Sequence, residues 1–233
     1  MAFRFKQFEV EDSNSSMKVG TDAVLLGTLA ENKDESRNML EIGTGCGVIS
    51  LMMAQRFQHL QIEAIDIDPE SCNQALENVR RSKWEKRIEI RQQSLQQLSR
   101  ESKKQYELIL SNPPFFENSL KPANPRYHLS KHSEQLTHAE LLAGVEKLLS
   151  ENGAFWVILP ANTSKRFRET AFIHNLFITK SIRIFPKSNK AFNRIILQIQ
   201  KTAFPETASE LLILNADNIY TEEYRALTGD FYL

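Results

Sequence analysis

The chain has 233 residues, 41% hydrophobic and 25% charged, with 29 basic side chains balanced by 29 acidic ones. That length fits one α/β domain, because single cores stop growing at roughly 250 to 300 residues, and the ordinary composition excludes a disordered or fibrous chain. No apolar run reaches the roughly 18 residues of a membrane-spanning helix, the start lacks a signal-peptide pattern, and Cys46 and Cys72 are too few for a disulfide framework or a zinc site.

These features predict one cytoplasmic domain over 1–233, with residues 1–37 leading up to the first glycine loop. Charge is segregated along the chain. From Ala161 to Lys201 nine basic residues (Lys165, Arg166, Arg168, Lys180, Arg183, Lys187, Lys190, Arg194, Lys201) face one acid, Glu169. From Glu206 to Asp230 six acids accompany one arginine. A neutral chain can therefore present a basic face.

Strand-like and helix-like segments alternate, the pattern of a sheet wound with helices. Met39 to Ile42, Gln61 to Asp66, Ile88 to Arg91 and Tyr106 to Ser111 read as strands, and Val48 to Phe57 as a helix. Asp68-Pro69 caps a second helix. Thr137 and Glu140 form a capping box before the amphipathic run Leu141 to Leu149, which Gly153 is expected to end. Ala154 to Leu159 reads as a buried strand and Thr163 to His174 as a helix. Ile178 to Phe185 and Arg194 to Ile199 read as a hairpin. Phe116 to Gln135 has no pattern, and that length marks a functional or disordered loop.

Leu40 to Ser50 (LEIGTGCGVIS) runs from a strand through Gly43, Gly45 and Gly47 into a helix. Glycine lets a ligand approach the backbone closely. Asp66 ends the next strand, where an acid can accept hydrogen bonds from both ribose hydroxyls. The third glycine falls at 47 and Val48 follows, so the dinucleotide pattern G-x-G-x-x-G is not met and a nicotinamide cofactor is disfavoured. Glu41, just before the loop, would repel a pyrophosphate and suits a cationic ligand such as the ammonium or sulfonium of S-adenosylmethionine.

Tyr106 to Phe115 (YELILSNPPF) ends in Asn112-Pro113-Pro114-Phe115. Two prolines fix φ and remove amide hydrogens, so the Pro113 carbonyl is held rigidly. The Asn112 side-chain oxygen and that carbonyl form a pair of acceptors for the N–H groups of an exocyclic amine. They draw its nitrogen toward tetrahedral geometry and free the conjugated lone pair for attack on a methyl donor. Phe115 offers a face on which a base can stack. This chemistry needs no metal and no general base.

With the glycine loop, Asp66 and NPPF in this order, the chain resembles Rossmann-like, class I S-adenosylmethionine-dependent methyltransferases. Lys6 to Leu29, with its core Met17-Lys18-Val19-Gly20-Thr21-Asp22-Ala23-Val24-Leu25-Leu26-Gly27, and the tail from Tyr220 to Leu233 resemble the bacterial tRNA1(Val) adenine-N6 methyltransferases in particular. The resemblance implies an α/β fold with a doubly wound, mostly parallel sheet ending in an antiparallel hairpin. It implies methylation, from S-adenosylmethionine, of N6 of adenine 37, beside the anticodon of a valine tRNA. Carried over, Lys18, Thr21, Glu41 and Gly43 to Gly47 surround the methionine end of the cofactor. Asp66 holds the ribose, Ile67 lies against the adenine, and Ser94 stands where related enzymes often have an aspartate bonding the adenine amine. Arg126, His128, Lys131 and His132 are candidate RNA contacts. The enzyme is expected to act as a monomer, without metal or membrane. The NPP-aromatic acceptors serve N2 of guanine in ribosomal RNA or a protein glutamine equally well, and a non-catalytic RNA-binding protein on the same scaffold is a further reading.

Overall fold

A computed structural model of the chain describes residues 2–32, 36–113 and 136–232. A short ribbon, β1 (Phe3–Arg4) and β2 (Glu9–Val10), comes first. There follow α1 (Thr21–Leu29), β3 (Asn38–Ile42), α2 (Val48–Arg56), β4 (Gln61–Asp66), α3 (Pro69–Arg80), β5 (Ile88–Gln92), α4 (Leu95–Glu101) and β6 (Tyr106–Ser111). The second half holds α5 (His138–Leu148), β7 (Leu149–Pro160), α6 (Ser164–Ile173), β8 (Phe177–Lys187), β9 (Arg194–Gln200), β10 (Thr207–Leu214) and α7 (Glu222–Thr228). Among the described residues one eight-stranded sheet runs β10-β8-β9-β7-β6-β3-β4-β5, with β9 antiparallel to both neighbours and every other pairing parallel.

Local chemistry sets the helix starts. Asp68 accepts a hydrogen bond from Ser71 N at 3.1 Å, with Pro69 in the first turn of α3. The Thr137–Glu140 capping box opens α5 as the sequence predicts. The helix does not run to Gly153. Leu149 already has extended backbone and begins β7. Gly153 lies inside that strand beside a register shift, where a Cβ would come within 3.0 Å of the Glu107 carbonyl oxygen. It permits a close approach of two strands rather than capping a helix.

Alternate residues of β7 enter two cores. Trp156 and Ile158 join the layer of α1 and α2, whereas Phe155, Val157 and Leu159 join that of α5 and α6. Each such fully buried side chain stabilises the fold by about 1.5–3 kcal/mol. The antiparallel hairpin is present as β8 and β9, but β10 lies beyond it at the sheet edge, parallel to β8. Its first half, Thr207 to Glu210, is exposed, so no apolar alternation marks it in the sequence.

This topology brings chemistry to one edge. The carboxyl ends of β3, β4, β6, β7, β8 and β10 all point the same way, and the chain order reverses between β3 and β6. Ligands of open α/β sheets bind in the crevice at such a reversal. Ile42, leading into the glycine loop, pairs there with Ser111, which precedes Asn112.

Candidate active site

The glycine loop is built by its own backbone and by β4. Gly43 N and Thr44 N both donate to the Ile65 carbonyl, at 2.9 and 3.1 Å, and Gly47 N donates to Thr44 O at 2.9 Å. Gly43, Gly45 and Gly47 have φ of 75°, 54° and 82°, in the left-handed region. The most informative is Gly43, because a Cβ there would meet nothing within 4 Å among the described residues. Its φ is demanding and its surroundings are open, as a ligand cradle requires. Asp66 supports the loop directly: one carboxylate oxygen accepts Gly45 N at 2.9 Å and the other accepts Asp68 N at 3.0 Å. Burial raises the Asp66 pKa, and these two N–H donors oppose the shift. Ile67, the next residue, is 47% exposed, a large apolar face turned to solvent beside the loop.

Glu41 is 1% exposed. Its Oε2 accepts from Thr44 Oγ1 at 2.9 Å, from Ser50 N at 3.0 Å and from the Ser50 hydroxyl, so it ties the start of the loop to the start of α2. Its Oε1 is buried without a hydrogen-bond partner among the described residues. Desolvation pushes the pKa up to about 7 against those three hydrogen bonds, with Asp66 adding to the rise. A carboxyl held above its unfolded value contributes stability that is complete below that value and is lost as pH rises through about 7, amounting to at most about 3 kcal/mol. The expected result is a cofactor-free protein whose melting temperature falls between pH 5 and pH 8, with a smaller fall in Glu41→Gln. Parallel melting curves for the two proteins would show that Glu41 does not titrate there.

Across the reversal, Ser111 donates to the Ile42 carbonyl at 2.9 Å and so fixes the end of β6 to the strand that feeds the loop. Asn112 follows, 6% exposed, with its side-chain oxygen unpartnered among the described residues. A buried amide oxygen without a donor costs about 1–3 kcal/mol, a cost explained if a substrate N–H satisfies it. Pro113 is also buried. Pro114 and Phe115 lie outside the described residues, as do Arg126, His128, Lys131 and His132 and the whole Phe116 to Gln135 segment.

Other expected site residues have jobs visible in the structure. The Lys18 ammonium donates to the carbonyls of Asp12 and, at 2.9 Å, of Ser13, which closes the 12–19 turn beside the loop. Thr21 starts α1. Ser94 caps α4, accepting Gln97 N at 3.1 Å, so its hydroxyl oxygen is already engaged by the backbone. Sequence reasoning missed a clamp on α3. Asn78 donates to Cys46 O at 2.9 Å and to Glu11 O at 2.7 Å and accepts Glu11 N, while Ser71 accepts Ser16 N at 3.1 Å. These bonds lay the segment 11–17 over the glycine loop, and a Cβ on Gly45 would stand 3.4 Å from Ser15 Oγ. The sequence shows only the helical spacing of Ser71, Gln74 and Asn78; that all three are buried emerges from the structure.

Residues 13–181 match the family model of the methyltransferase small domain. The chain is 39% identical to a tRNA1(Val) (adenine(37)-N6)-methyltransferase of Trichodesmium erythraeum, across 99% of this chain and 97% of that protein. It is 36% identical to the protein of the same name from Haemophilus influenzae (strain 86-028NP), across 99% and 98%. The chain belongs to the methyltransferase small domain family. Among solved structures, this methyltransferase resembles a predicted O-methyltransferase from Agrobacterium tumefaciens, with TM-score 0.65 at 15% identity over 90% of this chain and 96% of that one. It also resembles the ribosomal protein L11 methylase of Lactobacillus delbrueckii, with TM-score 0.56 at 16% identity over 86% and 100%. Both likenesses concern the fold alone.

The methyltransferase undoes much of the charge segregation seen along its sequence. Arg168 forms two 2.8 Å bonds with Glu206, Lys180 pairs with Glu31, Arg183 lies 3.5 Å from Glu210, and Arg194 lies 2.7 Å from Asp22. The acidic segment from Glu206 onward thus neutralises part of the basic one, and the basic face that the charge count allows is reduced to a smaller set. Lys165, Lys187 and Lys190 make no ion pair among the described residues. All three lie at the carboxyl edge: Lys165 shortly after β7, and Lys187 and Lys190 at the β8–β9 turn.

Proposed function

We propose that this enzyme transfers a methyl group from S-adenosylmethionine to the exocyclic N6 of adenine 37 in tRNA1(Val), in the cytoplasm. The observation that carries the reading is the buried oxygen of Asn112, without a partner among the described residues and one strand from the glycine cradle. S-adenosylmethionine, when bound, supplies an electrophilic methyl on a positively charged sulfur. The residues present fit such a cofactor: Gly43 leaves open space, Asp66 ends β4 where a ribose needs acceptors, Ile67 offers an apolar face, and Glu41 lies under the loop as a latent negative charge.

Asn112 Oδ1, with the Pro113 carbonyl beside it, accepts the two N–H groups of the target amine. That orients the nitrogen lone pair toward the methyl group and stabilises the positive charge that develops on nitrogen. The surplus proton leaves after transfer, so no basic side chain is required. Phe115 serves as the stacking face for the base. An anticodon-loop base is already unpaired, which lowers the cost of presenting it to the site.

The deciding experiment is transfer of labelled methyl to unmodified bacterial tRNA, followed by nucleoside digestion and mass spectrometry. N6-methyladenosine confined to a valine tRNA is the expected product. N2-methylguanosine, or label appearing only when ribosomes or protein are added, would overturn the substrate assignment. Lys187 and Lys190 are expected to touch tRNA phosphates, since their turn joins strands two and three spacings, roughly 10–14 Å, from β6 along the sheet. Lys187→Glu with Lys190→Glu should weaken tRNA binding and flatten its dependence on log salt by roughly 0.7 for each phosphate that is no longer neutralised. Cofactor affinity should stay unchanged. An unaltered salt slope would place the RNA on another surface.

A further inference from the structure

We propose that Glu41 carries a proton in the cofactor-free protein and releases it to solvent when the methionine ammonium of the cofactor binds beside the glycine loop. The inference rests on the reading of that loop as the S-adenosylmethionine site. Geometry motivates it. The two Glu41 oxygens are treated unequally: Oε2 accepts three hydrogen bonds, while Oε1 is buried with no donor at all among the described residues. An ionised carboxylate in that position would leave charge on an oxygen that nothing solvates, whereas a proton on Oε1 removes the charge.

The neighbouring groups agree. Asp66 on β4 is the charged group that acts on Glu41 from an adjacent strand, and it disfavours a second negative charge. Asp66 itself has N–H donors on both oxygens and is the better-solvated anion of the two. The Cys46 thiol in the loop, pushed up to about 12 by burial, stays neutral, and Asp12 of the N-terminal segment acts on that thiol in the same direction. Among the described residues no lysine, arginine or histidine pairs with Glu41. Burial raises both carboxyls next to this loop, but N–H donors reach both oxygens of Asp66 and only one oxygen of Glu41 among the described residues. A ligand cation arriving near Oε1 supplies the missing counter-charge. The O–H bond then breaks, its electron pair stays on Oε1, and the proton passes to buffer. Capture of the cofactor becomes linked to pH through a residue that takes no part in methyl transfer itself.

The test is titration calorimetry of S-adenosylhomocysteine, which keeps the ammonium and does not react. It is run at pH 7 in two buffers of different ionisation enthalpy. Wild type should release about half a proton more than Glu41→Gln, whose neutral amide imitates the protonated carboxyl. Relative to that variant, wild-type affinity should rise about tenfold from pH 6 to pH 8. An independent readout needs no variant: the infrared difference spectrum of wild type on ligand addition should lose a protonated-carboxyl stretch. Binding by wild type with the same proton count as Glu41→Gln, or with the carboxyl band unchanged, overturns the inference and leaves the cofactor assignment standing. Absence of binding by both proteins overturns the cofactor assignment and the inference with it.

Discussion

Replacing Asn112 by alanine or leucine is expected to slow methyl transfer by roughly 10²–10³-fold, the cost of removing one preorganised hydrogen-bonding group from a reaction centre, while the cofactor Kd moves less than about threefold. The separation follows from placement. Asn112 follows β6, on the far side of the β3–β6 reversal from Asp66 and Ile67. Its neighbour Ser111 holds the two halves together through the Ile42 carbonyl, so truncating Asn112 leaves that link intact. Folding gives a second handle. Because the Asn112 oxygen is buried without a partner among the described residues, leucine of similar size should melt no lower than wild type. A gain in stability with a loss of activity marks a polar atom kept for function. Asn112→Asp retains an acceptor and should recover part of the rate. Equal losses of turnover and cofactor affinity in the alanine variant, measured by single-turnover kinetics and calorimetry, would remove Asn112 from the role of amine acceptor.

The site was legible in the sequence where one residue type is demanded by one local geometry. Three glycines in five positions announced a sharply turning loop open to close approach, and the structure gives all three left-handed φ values. The acid closing the second strand was found for its position, although its visible work is to hold Gly45 N and Asp68 N. What stayed hidden depends on bonds between distant segments. The pairing of Arg168 with Glu206 and of Lys180 with Glu31 joins residues 38 and 149 positions apart. A charge count along the chain cannot see those bonds, so it overstated the basic face. The same holds for β10, whose outer half is polar because it lies at the sheet edge and buries little, and for the α3 clamp, whose polar stripe makes sense only against the N-terminal segment. Ser94 shows the reverse case. A hydroxyl at a helix start satisfies a local cap whatever ligand is nearby, so the position is explained by α4 alone and its part in binding adenine is left to the proposed site.

Gly43→Val should separate the cradle from the core more sharply than any other glycine substitution. At φ of +75° a branched side chain is strained, by about 1–3 kcal/mol, yet a Cβ would strike nothing within 4 Å among the described residues. The fold should therefore survive with a lowered melting temperature, while the added methyl groups occupy the space a ligand would use. A rise of at least roughly 30-fold in the cofactor Kd, or about 2 kcal/mol, is expected. Gly144→Ala is the contrasting case. Its Cβ would come within 2.6 Å of Leu95 Cγ, where α4 meets α5, in the core layer away from the loop. Overpacking there should cost about 1–3 kcal/mol of stability and leave cofactor affinity alone once the protein is folded. The pair distinguishes open space from packed space by measurement, using thermal melts and calorimetry on both variants. Tight cofactor binding by Gly43→Val would mean that the opening over the loop is not where the ligand lies, and the Asp66 and Ile67 assignments would fall with it.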